Sequence, residues 1–298
     1  HNESGIRQAG EHSHMILPGS ASQSLAAELA AALGEPIAPV EYERFPDGEL
    51  LVRIGDASPE RAIVVASTAT SDAFVELLQL QDAAREAGAS EVVTVLPYMG
   101  YARQDEAFNP GEPVSSRAVA RAISTGADRV LTVNPHEAGV CEFFDPPAVA
   151  LDAAPRLAEP LPEDLSEPLF LAPDEGACDL AESVRDAYGR GETDYFEKVR
   201  HSGSEVEVSP SDAGVAGRDV VVVDDIVATG STMSESIGVL NDRDAARVSV
   251  ATIHPLLARN APTKLARAGV EAVYGTDTLE RPVSAVSVAP VVAEELSE

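Results

Sequence analysis

Residues 220–226 read Val-Val-Val-Val-Asp-Asp-Ile, so an unbroken apolar run ends on two adjacent carboxylates. Four consecutive valines suit a strand covered on both faces, as inside a parallel sheet. Neighbouring like charges repel, and carboxylates are seldom buried without partners. The pair therefore belongs at the strand's carboxyl end, where open α/β sheets bind ligands. Behind it, Thr229, Gly230, Ser231 and Thr232 place hydroxyls and backbone N–H groups just ahead of a helical segment, Ser-Glu-Ser-Ile-Gly-Val-Leu. A turn of this kind at a helix N-terminus is a cradle for a phosphate group.

The remaining chain repeats the alternation that such a sheet demands. Residues 24–34 predict a helix closing on Gly34, 61–68 a buried strand, and 71–88 an amphipathic helix capped by Ser71 and ended by Gly88. A strand at 91–97, a helix at 115–124 and a strand at 129–133 follow. A Pro- and acid-rich stretch, 145–168, then breaks the pattern. Beyond it come 169–176, a helix at 178–189, the valine strand, a helix through Leu240, and strand-like runs at 246–255 and 270–277. The expected fold is α/β, with two domains at 15–148 and 149–298, each a mainly parallel sheet flanked by helices. A chain of 298 residues can bury two such cores. The final residues are expected to pack back on the first domain. The unpatterned opening, 1–14, reads as an expression-tag remnant, with Met15 as the native start.

Charge narrows the class of partner. Fifty acidic residues against 21 basic ones give a net charge of −29, spread along the whole chain. With 44% hydrophobic residues and clear periodic segments, a packed core is expected rather than disorder. A basic footprint is missing, which argues against nucleic acid. No apolar run has the length of a membrane span, and two cysteines, Cys141 and Cys178, make no disulfide framework, so a cytoplasmic protein is expected. Only two lysines remain, Lys198 and Lys264. A diffusely acidic, lysine-poor surface is that of a protein adapted to high salt.

Apolar residues, Asp-Asp, an apolar residue and Thr-Gly-x-Thr resemble the ribose-phosphate loop of the type I phosphoribosyltransferase fold, although an ordinary acidic strand-turn-helix has the same outline. Four further stretches resemble ribose-phosphate pyrophosphokinase in its archaeal form. They are residues 44–54 (Arg-Phe-Pro-Asp-Gly-Glu-Leu-Leu-Val-Arg-Ile), 96–123 with its Ala-Arg-Gln-Asp, 173–177 (Pro-Asp-Glu-Gly-Ala) and 195–208 with its Lys-Val-Arg. The resemblance covers nearly all of 15–298. It implies two phosphoribosyltransferase-like domains, and formation of phosphoribosyl pyrophosphate and AMP from ATP and ribose 5-phosphate with Mg2+. A nucleobase phosphoribosyltransferase needs only one such domain. A non-catalytic nucleotide-binding relative should lack the Lys198–Arg200 loop.

The resemblance also implies roles for residues. Asp224 and Asp225 would hold the ribose hydroxyls, and Ala228, Thr229, Gly230, Ser231 and Thr232 the 5-phosphate. Arg103, Gln104 and Asp105 would contact ATP. So would Phe45, by stacking on the base, with Asp47 and Glu49 as acceptors, although Pro46-Asp47-Gly48 is also a plain turn signal. In the family that segment reaches a neighbouring subunit's site, which implies a homo-oligomer, a dimer or a hexamer of dimers. Asp174, Glu175, Gly176 and Ala177 would form the pyrophosphate loop, with Asp174 and His136 near the metal. A helix N-terminus carrying acids would look the same. Where the family usually has Asp-Leu-His, this chain has Asn134-Pro135-His136, so the acidic neighbour is either replaced by Asn134 or Glu137 or lost. Lys198 and Arg200 would lie on a catalytic lid, although an exposed cationic hairpin also fits.

The charge makes a prediction independent of any resemblance. Screening shrinks to about 3 Å at 1 M salt, so self-repulsion among 50 acids against 21 bases should fade. The thermal unfolding midpoint should rise between about 0.1 and about 2 M KCl. A flat or falling midpoint contradicts salt adaptation.

Overall fold

The computed structural model describes residues 14–201, 205–210 and 214–298, with side chains described outside 198–213. The expected tag falls on 1–13, outside the described residues, apart from His14, which opens the first strand. The first sheet is all parallel, in the order β1 (His14–Pro18), β4 (Arg61–Val65), β5 (Glu91–Leu96), β6 (Arg129–Val133), β7 (Ala148–Leu151). Helices α1 (Gln23–Leu33), α2 (Ser71–Glu86) and α3 (Ser115–Ser124) connect its strands, and an antiparallel hairpin, β2 (Val40–Arg44) with β3 (Leu50–Ile54), lies on α2. Strand β7 straddles the expected division after residue 148, because it pairs with β6 rather than with anything beyond.

The second sheet runs β10 (Glu205–Pro210), β9 (Glu192–His201), β8 (Leu169–Ala172), β11 (Asp219–Ile226), β12 (Arg247–His254), β13 (Val273–Thr276), β14 (Ser284–Val286). Only the β9/β10 pair is antiparallel. Helices α4 (Cys178–Tyr188), α5 (Ser231–Asp242), α6 (Ala261–Ala268) and α7 (Ala289–Ser297) complete the chain. The valine strand is covered on both faces, as its sequence predicts. Val221 and Val223 pack into one cluster with α1, α4 and α7, while Val220 and Val222 pack into another with α5 and α6. Each fully buried valine stabilises the fold by about 1.5–3 kcal/mol relative to exposure.

One apolar cluster crosses from sheet to sheet. It joins Ile63, Val95 and Leu131 of the first to Phe170, Val223 and Ile253 of the second. Helix α7 lies against α1, and Arg129 on β6 pairs with Glu295 on α7. Polar contacts follow the same seam. The Ser22 hydroxyl accepts from the Ser67 N–H at 3.0 Å, so it caps nothing on α1. Glu280 accepts from the Ser24 and Leu25 N–H groups instead, at 2.6 and 3.1 Å, supplying from the second half a charge suited to a helix N-terminus.

Helix α2 corrects one expectation. Its cap is Thr70, whose Oγ1 accepts from the Ala73 N–H at 3.1 Å from an extended backbone, φ −132° and ψ 162°. Ser71 is the first helical residue, with Oγ 3.1 Å from the Tyr101 hydroxyl. Two successive hydroxyl residues read alike in sequence; only the backbone angle separates them.

Candidate active site

Strand β11 continues through Ile226, so Asp224 and Asp225 stand at its carboxyl end as neighbours on opposite faces. The Asp225 N–H donates to Asp224 Oδ1 at 3.0 Å, and the Ile226 N–H to Asp225 Oδ1 at 2.7 Å. From the end of β6 in the other sheet, His136 Nδ1 approaches Asp225 Oδ2 to 2.7 Å. This contact sets the local charge. The hydrogen bond to Asp225 raises the His136 pKa above the ordinary histidine range, against a smaller lowering by partial burial. Burial pushes Asp225 up, but its contact with His136 outweighs that and the carboxyl lies below its usual range. Burial and the Asp225 charge hold Asp224 well above its own. The pair thus carries one charge readily and a second only with a further cation.

Two cavities meet at this pair. One, about 300 Å³, is walled by Arg103, Asp174, the two aspartates and 226–233; the other, about 690 Å³, by 134–138, Asp152, Asp174 and the start of α4. His136, Asp174, Asp224 and Asp225 line both. In the smaller cavity the backbone turns at Gly230, φ +70°, where a Cβ would stand 3.3 Å from Ala261 Cβ, and α5 begins at Ser231. The loop is uncharged from Ile226 to Ser234, and its first helical turn carries no acid in a chain with 50 of them. Its leading N–H groups have no intrahelical partner and point to where an anion would sit.

The other expected residues fall differently. Arg103 lines the smaller cavity, while the Gln104 side-chain oxygen accepts from the Ser115 hydroxyl at the start of α3; Asp105 is half-buried beside it. Asp174 lies at the end of β8, and Glu175–Ala177 form a single 3₁₀ turn into α4, with Gly176 and Ala177 on the larger cavity. Phe45, Asp47 and Glu49 line neither cavity. They form the exposed tip between β2 and β3, where the Phe45 N–H donates to Glu49 O at 2.9 Å and Gly48 adopts φ +94°. Lys198 and Arg200 occupy backbone positions in β9 opposite Val208 and Val206 of β10; their side chains lie outside those described. Among the described residues, no group of three or more potential ligating side chains converges on a metal position.

Sequence reasoning missed His254. It ends β12 fully buried, 3.0 Å from the Asn134 carbonyl through Nε2 and 2.9 Å from the Thr278 hydroxyl through Nδ1. Asn134 adopts a φ of +33°, in the left-handed region that asparagine and aspartate both enter more readily than most other non-glycine residues. Its side chain ties β6 to the stretch after β7, accepting from the Ala153 N–H at 2.7 Å and donating to Asp152 at 2.8 Å. The Asn134 carbonyl oxygens are thus committed to structure. Glu137 remains exposed on the larger cavity.

A carboxylate pair at a parallel strand's end, followed by a glycine turn into a helix, on α/β sheets covered on both faces, is the arrangement that the resemblance to the type I phosphoribosyltransferase fold implies. Comparison with known proteins is more specific. Residues 14–126 match the family model of the N-terminal domain of ribose phosphate pyrophosphokinase, and 140–285 that of the phosphoribosyl transferase domain. The ribose-phosphate pyrophosphokinase of Halobacterium salinarum is 70% identical over 95% of this chain and 100% of its own. That of Methanosarcina mazei is 48% identical over 95% of each. The crystal structure of phosphoribosylpyrophosphate synthetase from Mycobacterium smegmatis superposes with a TM-score of 0.81 at 28% identity, covering 95% of this chain and 97% of that one. The chain belongs to the ribose-phosphate pyrophosphokinase family.

The His136–Asp225 contact is testable by titration. A raised histidine pKa means the contact adds stability below the unfolded value of about 6.5, and loses it as pH rises through the folded value. Followed by NMR, His136 should titrate above the ordinary range, and Asp225→Asn should lower its midpoint by removing the charge that favours imidazolium. An unchanged midpoint contradicts the assignment.

Proposed function

We propose that this chain transfers the pyrophosphoryl group of ATP to the anomeric hydroxyl of ribose 5-phosphate, giving 5-phosphoribosyl 1-pyrophosphate and AMP for nucleotide biosynthesis. The observation that carries this reading is the sharing of His136, Asp174, Asp224 and Asp225 by two adjoining cavities. A sugar phosphate and a triphosphate need separate pockets that meet at one reacting centre. The anomeric hydroxyl releases its proton, ultimately to solvent, as its oxygen bonds the β-phosphorus, and the bond from that phosphorus to the oxygen bridging toward the α-phosphate breaks, that oxygen leaving on AMP. Little covalent chemistry is asked of the protein; alignment and charge neutralisation lower the barrier.

In this reading Ala228–Thr232 and the start of α5 take the 5-phosphate, and Asp224 and Asp225 accept from the ribose hydroxyls. Arg103, on the smaller cavity, and His136, which lines both, bring positive charge toward the triphosphate where the cavities meet, with Gln104 and Asp105 following Arg103. Asp174 to Ala177 bound the pyrophosphate path. Magnesium, when bound, supplies the charge that the transferring group and the aspartate pair need. Asp174 and His136, which both line the two cavities, would flank it, and this hard ion prefers oxygen and keeps several waters besides one or two carboxylates and substrate phosphates. The exposed tip with Phe45, Asp47 and Glu49 serves the nucleotide of a neighbouring copy, in a homo-oligomer. Among the described residues no helix is long and apolar enough to cross a membrane, and Cys141 and Cys178 are free thiols, which supports a reducing cytoplasmic setting.

Lys198 and Arg200 on the β9/β10 hairpin close over the triphosphate in this account. A group acting on the transition state contributes to turnover more than to binding. With ATP, ribose 5-phosphate and Mg2+, wild-type protein should form AMP. Lys198→Ala should lower kcat by roughly two to four decades and leave KM for both substrates within a few-fold, by analogy with other cations that stabilise a transferring phosphoryl group. No AMP from wild type overturns the function; near-wild-type kcat in the variant overturns the lid.

A further inference from the structure

Lysine is the scarcest charged residue here, with Lys264 and Lys198 standing among 50 acids. Lys264 lies on α6, half-buried, and no carboxylate among the described residues pairs with it. Its ammonium instead donates to the Ser231 hydroxyl at 2.8 Å. An ammonium in such an acidic chain has many better electrostatic partners than a neutral hydroxyl, so its place needs a reason. Ser231 is the first residue of α5 and lines the smaller cavity.

The segment that delivers Lys264 is braced against the phosphate loop. The Leu257 N–H donates to Val227 O at 2.9 Å, and the Ala258 N–H to Ala228 O at 2.8 Å. Leu257 and Arg259, on either side of Ala258, adopt left-handed backbone angles of +45° and +57°. Such angles are costly for branched or long side chains and persist where surrounding structure fixes them, often around ligands. Helix α6 then starts at Ala261, whose Cβ is the atom closest to a Cβ built on Gly230.

Hydrogen-bond chemistry gives the contact a direction. An ammonium has three donors and no acceptor, so Lys264 must occupy a lone pair of the Ser231 oxygen. The Thr229 hydroxyl donates to the same oxygen at 3.4 Å. The Ser231 proton is left to point elsewhere, and a nearby positive charge strengthens it as a donor. We propose that Lys264 is a positioning residue for the sugar 5-phosphate, orienting and polarising the Ser231 hydroxyl so that it donates to a phosphate oxygen. In molar salt, long-range attraction is screened within a few ångströms, so a cation contributes only through direct contact of this kind. The inference rests on reading 228–232 as the 5-phosphate loop and adds a residue from outside it.

Calorimetry with ribose 5-phosphate and, separately, ATP on the full chain tests it. Lys264→Met should weaken ribose 5-phosphate about ten- to a hundredfold, the usual range for losing a charge-assisted hydrogen bond, and leave ATP within about twofold. Lys264→Arg should recover most of the affinity. Ser231→Ala should lose a similar factor, and the double variant should be no weaker than the worse single one, because both act on one hydroxyl. A mere strut between α5 and α6 predicts lower unfolding temperature with unchanged sugar-phosphate affinity, which overturns the proposal. Equal losses for both ligands, or additive losses in the double variant, overturn it as well. Wild type that fails to bind ribose 5-phosphate overturns the functional reading itself, whereas normal wild-type binding with an unaffected Lys264→Met variant sinks only this inference.

Discussion

The His254 imidazole is buried between the two sheets, and both its nitrogens are engaged. Burial pushes its pKa down to about 4, so at neutral pH the ring is uncharged and offers one donor and one acceptor. The Asn134 carbonyl can only accept, which places the proton on Nε2. Nδ1 must then accept from Thr278, and Thr276 is left to satisfy the Ile253 carbonyl at 2.7 Å. One tautomer therefore fixes a chain of hydrogen bonds from β6 through β12 to the segment after β13. Tyr98, at the end of β5, meets the same ring edge-on with centroids 5.0 Å apart.

That clamp decides where His136 stands. Asn134, held by its carbonyl and by both ends of its amide, turns the chain out of β6 and delivers His136 two residues later to Asp225 of the other sheet. Strand register supports the partner side, with Ile226 opposite His254 and the Thr252 hydroxyl donating to the Asp225 carbonyl at 3.2 Å. Both sheets thus present carboxyl ends to one seam, and the shared apolar cluster beneath keeps them there. A group transfer between two phosphorylated substrates needs such a seam, since His136 comes from one sheet and the aspartate pair from the other.

Much of the fold was legible in the sequence because its signals are local. The valine run, the α3 helix and the β6 strand have sequence bounds at or near their observed ones, and Gly34 does end α1 in a left-handed conformation. Short strands such as β7 and β14 were not legible, being four and three residues long and formed only by pairing. His254 sits in a run of Val, Ala, Thr and Ile that any buried strand has, so nothing local marks it as a clamp. Asn134 drew attention as a departure from the family pattern, but its left-handed angle and its tie to Ala153 exist only in three dimensions. The direction of Lys264 is of the same kind, for its partner lies 33 positions away.

The central claim is that His136 and Asp225, one from each sheet, act as a single unit across the seam. A double-mutant cycle on kcat/KM measures this directly, with His136→Ala, Asp225→Asn and the combination. Residues acting as one unit are strongly non-additive, so the double variant should be scarcely slower than the worse single one, a coupling of about 1 kcal/mol or more. Losses that multiply independently would contradict the account, leaving two residues that merely lie 2.7 Å apart.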